Sequence, residues 1–159
     1  MAGLKGQWEY AVDAKGRLAL PAKLRRAIRP EAHDVLVITR GFEPCLFAYP
    51  SYEWEGVEAQ LARLNAYQRD SRRLIRTLLG WADDSTIDRQ GRIALSKRHL
   101  EFAAITDRAI IIGALDRIEI WSPERFEQEI AGQPLAYDDL AEFVLGSSPP
   151  PSTDTESEI

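Results

Sequence analysis

Asp13-Ala14-Lys15-Gly16-Arg17-Leu18-Ala19-Leu20 recurs seventy-five positions later as Asp88-Arg89-Gln90-Gly91-Arg92-Ile93-Ala94-Leu95. One folding unit has been duplicated. In both copies an Asp precedes a Gly by three positions and an Arg by four, and an alternating apolar run follows. Asp13 and Asp88 suit the first position of a type I turn, where the carboxylate accepts nearby backbone N–H groups. Gly16 and Gly91 suit the fourth, where positive φ meets no Cβ. The pattern predicts a hairpin with a three-residue loop and a glycine bulge. Arg17 and Arg92 then begin the return strands, which puts a rigid cation at each hairpin tip beside Lys15 in the first copy and Arg89 in the second.

Working outward, Trp8 to Val12 alternates in the manner of a strand entering the first hairpin, and Leu18 and Leu20 continue the period on the way out. Pro21 stops that strand and precedes a short helix, Ala22 to Ile28, with Leu24 and Ile28 inward and Lys23, Arg25, Arg26 and Arg29 outward. Ser96 stands at the matching place as the N-cap of a helix from Lys97 to Ala104. Next come the continuous apolar runs 34–39 and 108–112, expected as strands buried on both faces. Further strands follow at 45–49 and 117–121, and helix starts are expected at Ser51 and Ser122. A helix over Ser71 to Trp81, with Leu74, Ile75, Leu78 and Leu79 inward and Arg72, Arg73 and Arg76 outward, bridges the copies.

Half a barrel of this size would leave strand edges open, so the halves are expected to complete each other. The fold class is therefore α+β: a small β-barrel shared between two repeats, with helices outside. The divisions are a first repeat over 4–64, a connecting helix over 65–82, a second repeat over 83–131 and an extension over 132–145 with one weak helix. An acidic tail over 146–159, rich in Ser and Pro, is expected to be disordered because it offers too little apolar surface to offset its ordering entropy.

The net charge of −5 is unevenly spread. Residues 1–118 hold 19 Lys and Arg against 15 Asp and Glu, whereas residues 119–159 hold 1 against 10, so a mildly basic body carries an acidic end. Cys45 is the only cysteine, which excludes a disulfide framework within one chain and fits a reducing cytoplasm. No apolar run resembles a signal peptide or a membrane span. His33 and His99 lack ligand spacing and read as surface or interface residues, Cys45 reads as inert core, and no metal, cofactor, small-molecule ligand or catalytic residue is expected.

A guanidinium binds guanine O6 and N7, or a phosphate, in bidentate fashion, and a two-stranded ribbon fits the major groove of DNA. The candidate DNA-binding residues are thus Arg17 and Arg92 first, then Lys15, Arg89, Lys23 and Arg25 around them. Pairing of each Arg with its own Asp across the turn is the alternative reading. At the level of function, sequence-specific DNA binding competes with an oligomeric scaffold whose tips bind protein carboxylates, and with a hydrolase using Cys45 as a remote third.

The two motif copies, together with Leu20-Pro21-Ala22-Lys23-Leu24-Arg25, Thr39-Arg40-Gly41, Cys45-Leu46-Phe47-Ala48-Tyr49-Pro50 and Arg117-Ile118-Glu119-Ile120-Trp121, resemble the MraZ family from about Leu4 to Ile130. The resemblance implies two AbrB-like swapped-hairpin units and a ring-shaped homo-oligomer. It also implies a cytoplasmic, nucleoid-associated repressor that binds direct repeats in double-stranded DNA upstream of the division and cell wall gene cluster. It carries Lys15 and Arg17 over to the DNA-reading tip and Arg92 to its counterpart. Ser96 stands where the family commonly has proline and His99 where an apolar residue is usual, so the first repeat ranks above the second for base contact.

Overall fold

The computed structural model describes residues 3–146. The expected disorder of the tail falls on residues that, apart from Gly146, lie outside the described ones. Two compact units divide at Glu127 and Gln128.

The first unit follows the duplicated order. The first copy supplies β1 (Leu4–Ala11), β2 (Arg17–Ala19), α1 (Ala22–Ala27), β3 (Val35–Arg40), β4 (Leu46–Pro50) and α2 (Ser51–Ala62). After α3 (Arg69–Gly80) the second copy supplies β5 (Asp83–Thr86), β6 (Arg92–Ala94), α4 (Lys97–Ala103), β7 (Arg108–Leu115), β8 (Ile118–Trp121) and the start of α5 (Pro123–Ala131). The second unit contains the end of α5 and α6 (Tyr137–Gly146). The class is α+β, since the strands pair antiparallel throughout and the helices stand apart from the sheet order.

The copies interleave rather than fold side by side. Six strands form an antiparallel sheet in the order β1-β7-β8-β4-β3-β5, and β2 pairs with β6 as a separate ribbon. Exchanging the copies reverses the six-strand order onto itself, so the sheet has an internal two-fold relation. Its axis runs between Leu18 and Ile93 in the ribbon and between Phe47 and Glu119 in the β4·β8 ladder, because these are the facing pairs that exchange onto each other. Each hairpin therefore finds its partners in the other copy. β1 lies on β7 and β5 on β3, so neither copy alone would satisfy its strand edges.

The six-stranded ladder ends at β1 and β5, and the ribbon spans these two edges. On one side Val12 bridges Leu18. On the other, Ser85 Oγ donates to Ala94 O at 3.1 Å and accepts from Ala94 N at 3.2 Å. Sheet and ribbon together enclose an inner core of Leu18, Leu20, Leu24, Leu36, Ile38, Leu46, Ile93, Ile111, Ile118 and Ile120. Alternation along the strands sends the intervening residues outward, and a second core forms there. Val37, Phe47, Tyr49 and Trp121 pack with Trp54 and Leu61 of α2 and Leu78 of α3.

Several local expectations change. Ser51 does not cap α2: it is the first helical residue after Pro50 and donates through Oγ to Ala32 O at 2.9 Å. Ser96 and Ser122 do cap, accepting from His99 N and Arg125 N. The bridging helix begins earlier, at Arg69, and only Leu78 of its apolar stripe is buried. Leu74 and Leu79, expected inward, are exposed because they flank the contact face of Ser71, Ile75 and Leu78 on either side.

Candidate nucleic-acid interface

Each tip is built by its Asp. In the first, Asp13 Oδ1 accepts from Lys15 N and Arg17 N, both at 2.9 Å, and Oδ2 accepts from Arg17 Nε at 2.7 Å. In the second, Asp88 Oδ1 accepts from Gln90 N and Arg92 N at 2.9 Å, and Oδ2 from Arg92 Nε at 3.1 Å. The turns close through Gly16 N to Asp13 O and Gly91 N to Asp88 O. Both glycines have φ +76°. The Arg17 backbone N–H is the foremost cause that holds the Asp13 carboxyl below its ordinary pKa, with the Arg17 side chain and Lys15 N–H adding to it. The Arg92 N–H does the same for Asp88. The carboxylates shape the turns and aim the guanidinium groups.

The ribbon sorts its residues by period two. Leu18 and Ile93 face the core, at 0% and 1% exposure, which leaves Arg17, Ala19, Arg92 and Ala94 on the opposite face. Arg17 stands across from Ala94 and Arg92 across from Ala19. The two arginines are thus diagonal neighbours, about 7–8 Å apart by the geometry of such pairs, on a platform otherwise made of alanine. Neither is sealed: their side chains are 36% and 28% exposed. Nε of each is engaged by its own Asp, and Arg92 also reaches across to the first tip, its Nη1 lying 3.8 Å from Asp13 Oδ2. The alternative reading of an Arg paired with its own Asp is therefore realised in the structure, and it is compatible with outward presentation. An exposed pair of this kind adds little stability.

The helices extend the cationic surface unevenly. Arg25 lies across the second tip, not the first: a Cβ placed on Gly91 would sit 2.7 Å from the guanidinium carbon. Its Nε donates to Leu20 O at 3.2 Å. At the related position under the first tip, Leu100 approaches Gly16. Lys23 is exposed on α1, and Lys15 and Arg89 are exposed on the tips. The structure thus brings Arg17, Arg92, Lys15, Arg89 and Arg25 onto one hairpin platform, with Lys23 on the adjoining helix.

Comparison with known proteins also finds two segments. A family model described as "MraZ protein, putative antitoxin-like" matches residues 4–77 and again residues 78–137. The chain belongs to the MraZ family. Relatives named "Transcriptional regulator MraZ" include those of Lactobacillus delbrueckii subsp. bulgaricus, Lactobacillus johnsonii and Lactobacillus gasseri. Each is 40% identical over 137 residues, covering 86% of this chain and 93% of the relative. Family membership accounts for the doubled motif, since the two matched segments meet inside α3, between the copies.

Residues outside the platform divide differently. His99, expected at a surface or interface, is buried at 1% exposure. Its Nε2 lies 2.6 Å from Trp81 O, and burial pushes its pKa down. The N-cap at Ser96 turns the start of α4 so that position 99 faces inward, which the helical spacing from Ala103 would have indicated. His33 is exposed and is itself in the left-handed backbone region, at φ 51°. Cys45 is buried. No group of His, Cys, Asp and Glu among the described residues is arranged to hold a metal. The sequence reading missed Leu100 and Ser85. The offset of seventy-five would have matched Leu100 to Arg25, whereas nothing in the sequence signals the Ser85 clasp on Ala94.

Proposed function

We propose that this chain is a sequence-specific DNA-binding transcriptional repressor. Its targets are direct repeats in double-stranded DNA upstream of the division and cell wall gene cluster, and it acts as a ring-shaped homo-oligomer in the cytoplasm, associated with the nucleoid. The observation that carries this reading is the platform: two partly exposed guanidinium groups on a ribbon, diagonally placed, each facing an alanine across the strands and aimed by the tip aspartates. Guanidinium forks suit guanine edges and phosphates, and a ribbon of this width suits the major groove. Lys15, Arg89, Lys23 and Arg25 add sequence-independent, salt-sensitive attraction. The names of the relatives point the same way.

Assembly is supported by apolar residues left open on the first unit, among them Phe42, Tyr67, Leu74 and Leu115. Several weak tips on one ring engaging successive repeats raise the effective concentration of each. No helix among the described residues is long and apolar enough to cross a membrane.

The test is binding of purified protein to DNA from upstream of its own gene across a salt series, against a scrambled duplex. Arg17→Ala is expected to weaken specific binding by about 1–3 kcal/mol per engaged chain while oligomeric size is unchanged. Equal binding by the variant, or equal binding to the scrambled duplex, would refute the assignment. Binding of acidic protein instead of DNA would favour a scaffold.

A further inference from the structure

A head with true two-fold symmetry lies on a duplex equally well in either direction, because turning it about its axis changes nothing. Direct repeats demand one direction from every chain. The platform repeats its arginines, aspartates and turn glycines, departing from the two-fold relation among them only in the 3.8 Å approach of Arg92 Nη1 to Asp13, an exposed pair worth little energetically, so a strong directional bias has to come from residues that differ between the copies. This inference rests on the DNA-binding reading above.

The clearest break within reach of the tips is the residue that supports each one from below. Arg25 lies over the second tip and Leu100 over the first, at positions related by the duplication. Arg25 is exposed, and with Arg29, His33 and Asp88 it lines an open cleft of about 540 Å³ beside Gly91. The helices around them reinforce the difference. The exposed face of α1 is cationic through Lys23, Arg25 and Arg26 with no acid in the helix. On α4, Lys97 is paired with Glu101 and Arg98 with Asp83. Position 26 is Arg and its related position 101 is Glu. Phosphate contacts fix the register and orientation of a protein on a duplex without themselves reading sequence.

We infer that Arg25, lying across the second hairpin tip where the related position carries Leu100, sets the direction in which the chain lies on DNA. The second-tip side is held to the phosphates more strongly than the first, and the chain adopts one of two otherwise equivalent orientations. Arg25 belongs to the first repeat in sequence and acts at the tip of the second, as a consequence of the interleaving.

The experiment maps direction with a tethered cleavage reagent. Thr106→Cys places an exposed thiol next to Asp107, whose carbonyl accepts Val12 N at the first hairpin. The native Cys45 is buried and stays unmodified. An iron chelate attached at position 106 cuts a duplex that carries one binding element from upstream of the protein's own gene. With Arg25 present, cuts are expected on one side of the element by about tenfold. Arg25→Leu makes the two supports alike and is expected to bring the sides within about twofold of each other. Arg25→Gln, which keeps a donor for Leu20 O, is expected to do the same if the Leu variant folds poorly, and Arg25→Lys retains one-sided cutting. Two-sided cutting with Arg25 present, or undiminished one-sided cutting in both the Leu and Gln variants, overturns the inference. Absence of any specific complex with the labelled Thr106→Cys protein would instead overturn the DNA reading on which it rests.

Discussion

Gly16 and Gly91 occupy related turns at the same φ of +76°, yet replacing each by Ala should have different consequences. A non-glycine residue in this region costs about 1–2 kcal/mol in backbone strain, and both variants incur it. Their surroundings then separate them. A Cβ on Gly16 would lie 2.6 Å from Leu95 O and 3.2 Å from Leu100 Cδ1, and Leu95 is held in place because its N–H donates to Gly16 O at 2.8 Å. Two backbones must move apart, and forced overpacking of this kind adds about 1–3 kcal/mol. The three atoms nearest a Cβ on Gly91 all belong to the Arg25 guanidinium, at 2.7–2.8 Å, the far end of a flexible side chain that can swing into the open cleft. Gly16→Ala is therefore expected to cost about 2–5 kcal/mol and Gly91→Ala about 1–2 kcal/mol. With a urea slope of about 2 kcal/mol/M, the midpoint should fall by about 1–2.5 M in the first variant and by less than about 1 M in the second. Urea titration of both proteins at one concentration checks this. Equal losses, or a larger loss in Gly91→Ala, would show that the tips are not supported as described.

Leu18→Ala, which empties the core side of the ribbon at the two-fold axis, is expected to lose about 2–5 kcal/mol in the same titration. It should also weaken DNA binding, because the arginine platform is then no longer backed by a packed residue. His99 makes stability depend on pH. Its folded pKa lies below the ordinary 6.5, so the unfolded chain binds the proton more readily, and stability falls as pH drops below 6.5 and is retained above it. Thermal melts from pH 7.5 to 5.5 should show a fall that is smaller in His99→Gln. Asp13 and Asp88 act in the acid range: their contribution is present above the ordinary 3.8 and lost as pH falls through their lowered pKa. Asp13→Asn/Asp88→Asn should therefore flatten the loss of stability measured below pH 3.8. Removing residues 147–159 is expected to leave assembly size unchanged in light scattering.

The parts of the fold that were legible in the sequence are those fixed by local chemistry. An Asp-x-x-Gly-Arg stretch closes the same turn wherever it stands, so both hairpins, both tip arginines and the duplication could be read directly. Three-dimensional partnership was not legible, because it depends on which copy a strand meets. Nothing in Arg25 itself separates a phosphate contact on its own repeat from a support for the opposite tip. Only the interleaving of β2 with β6 decides that. His99 went astray for a related reason: a polar residue type outweighed a helical position that packs inward and finds Trp81 O as its partner. Leu74 and Leu79 failed in the opposite sense, since apolar periodicity marks a face wide enough for more than one contact, and within a single chain only its centre, Leu78, is covered. The offset of Arg25 has its root in the duplication: a unit that completes itself by exchange leaves its local motifs intact while moving their contacts to the other copy. Residues that break the local pattern without a visible local reason are therefore the ones to examine for contacts between copies, and Arg25 opposite Leu100 is the instance that can be tested on DNA.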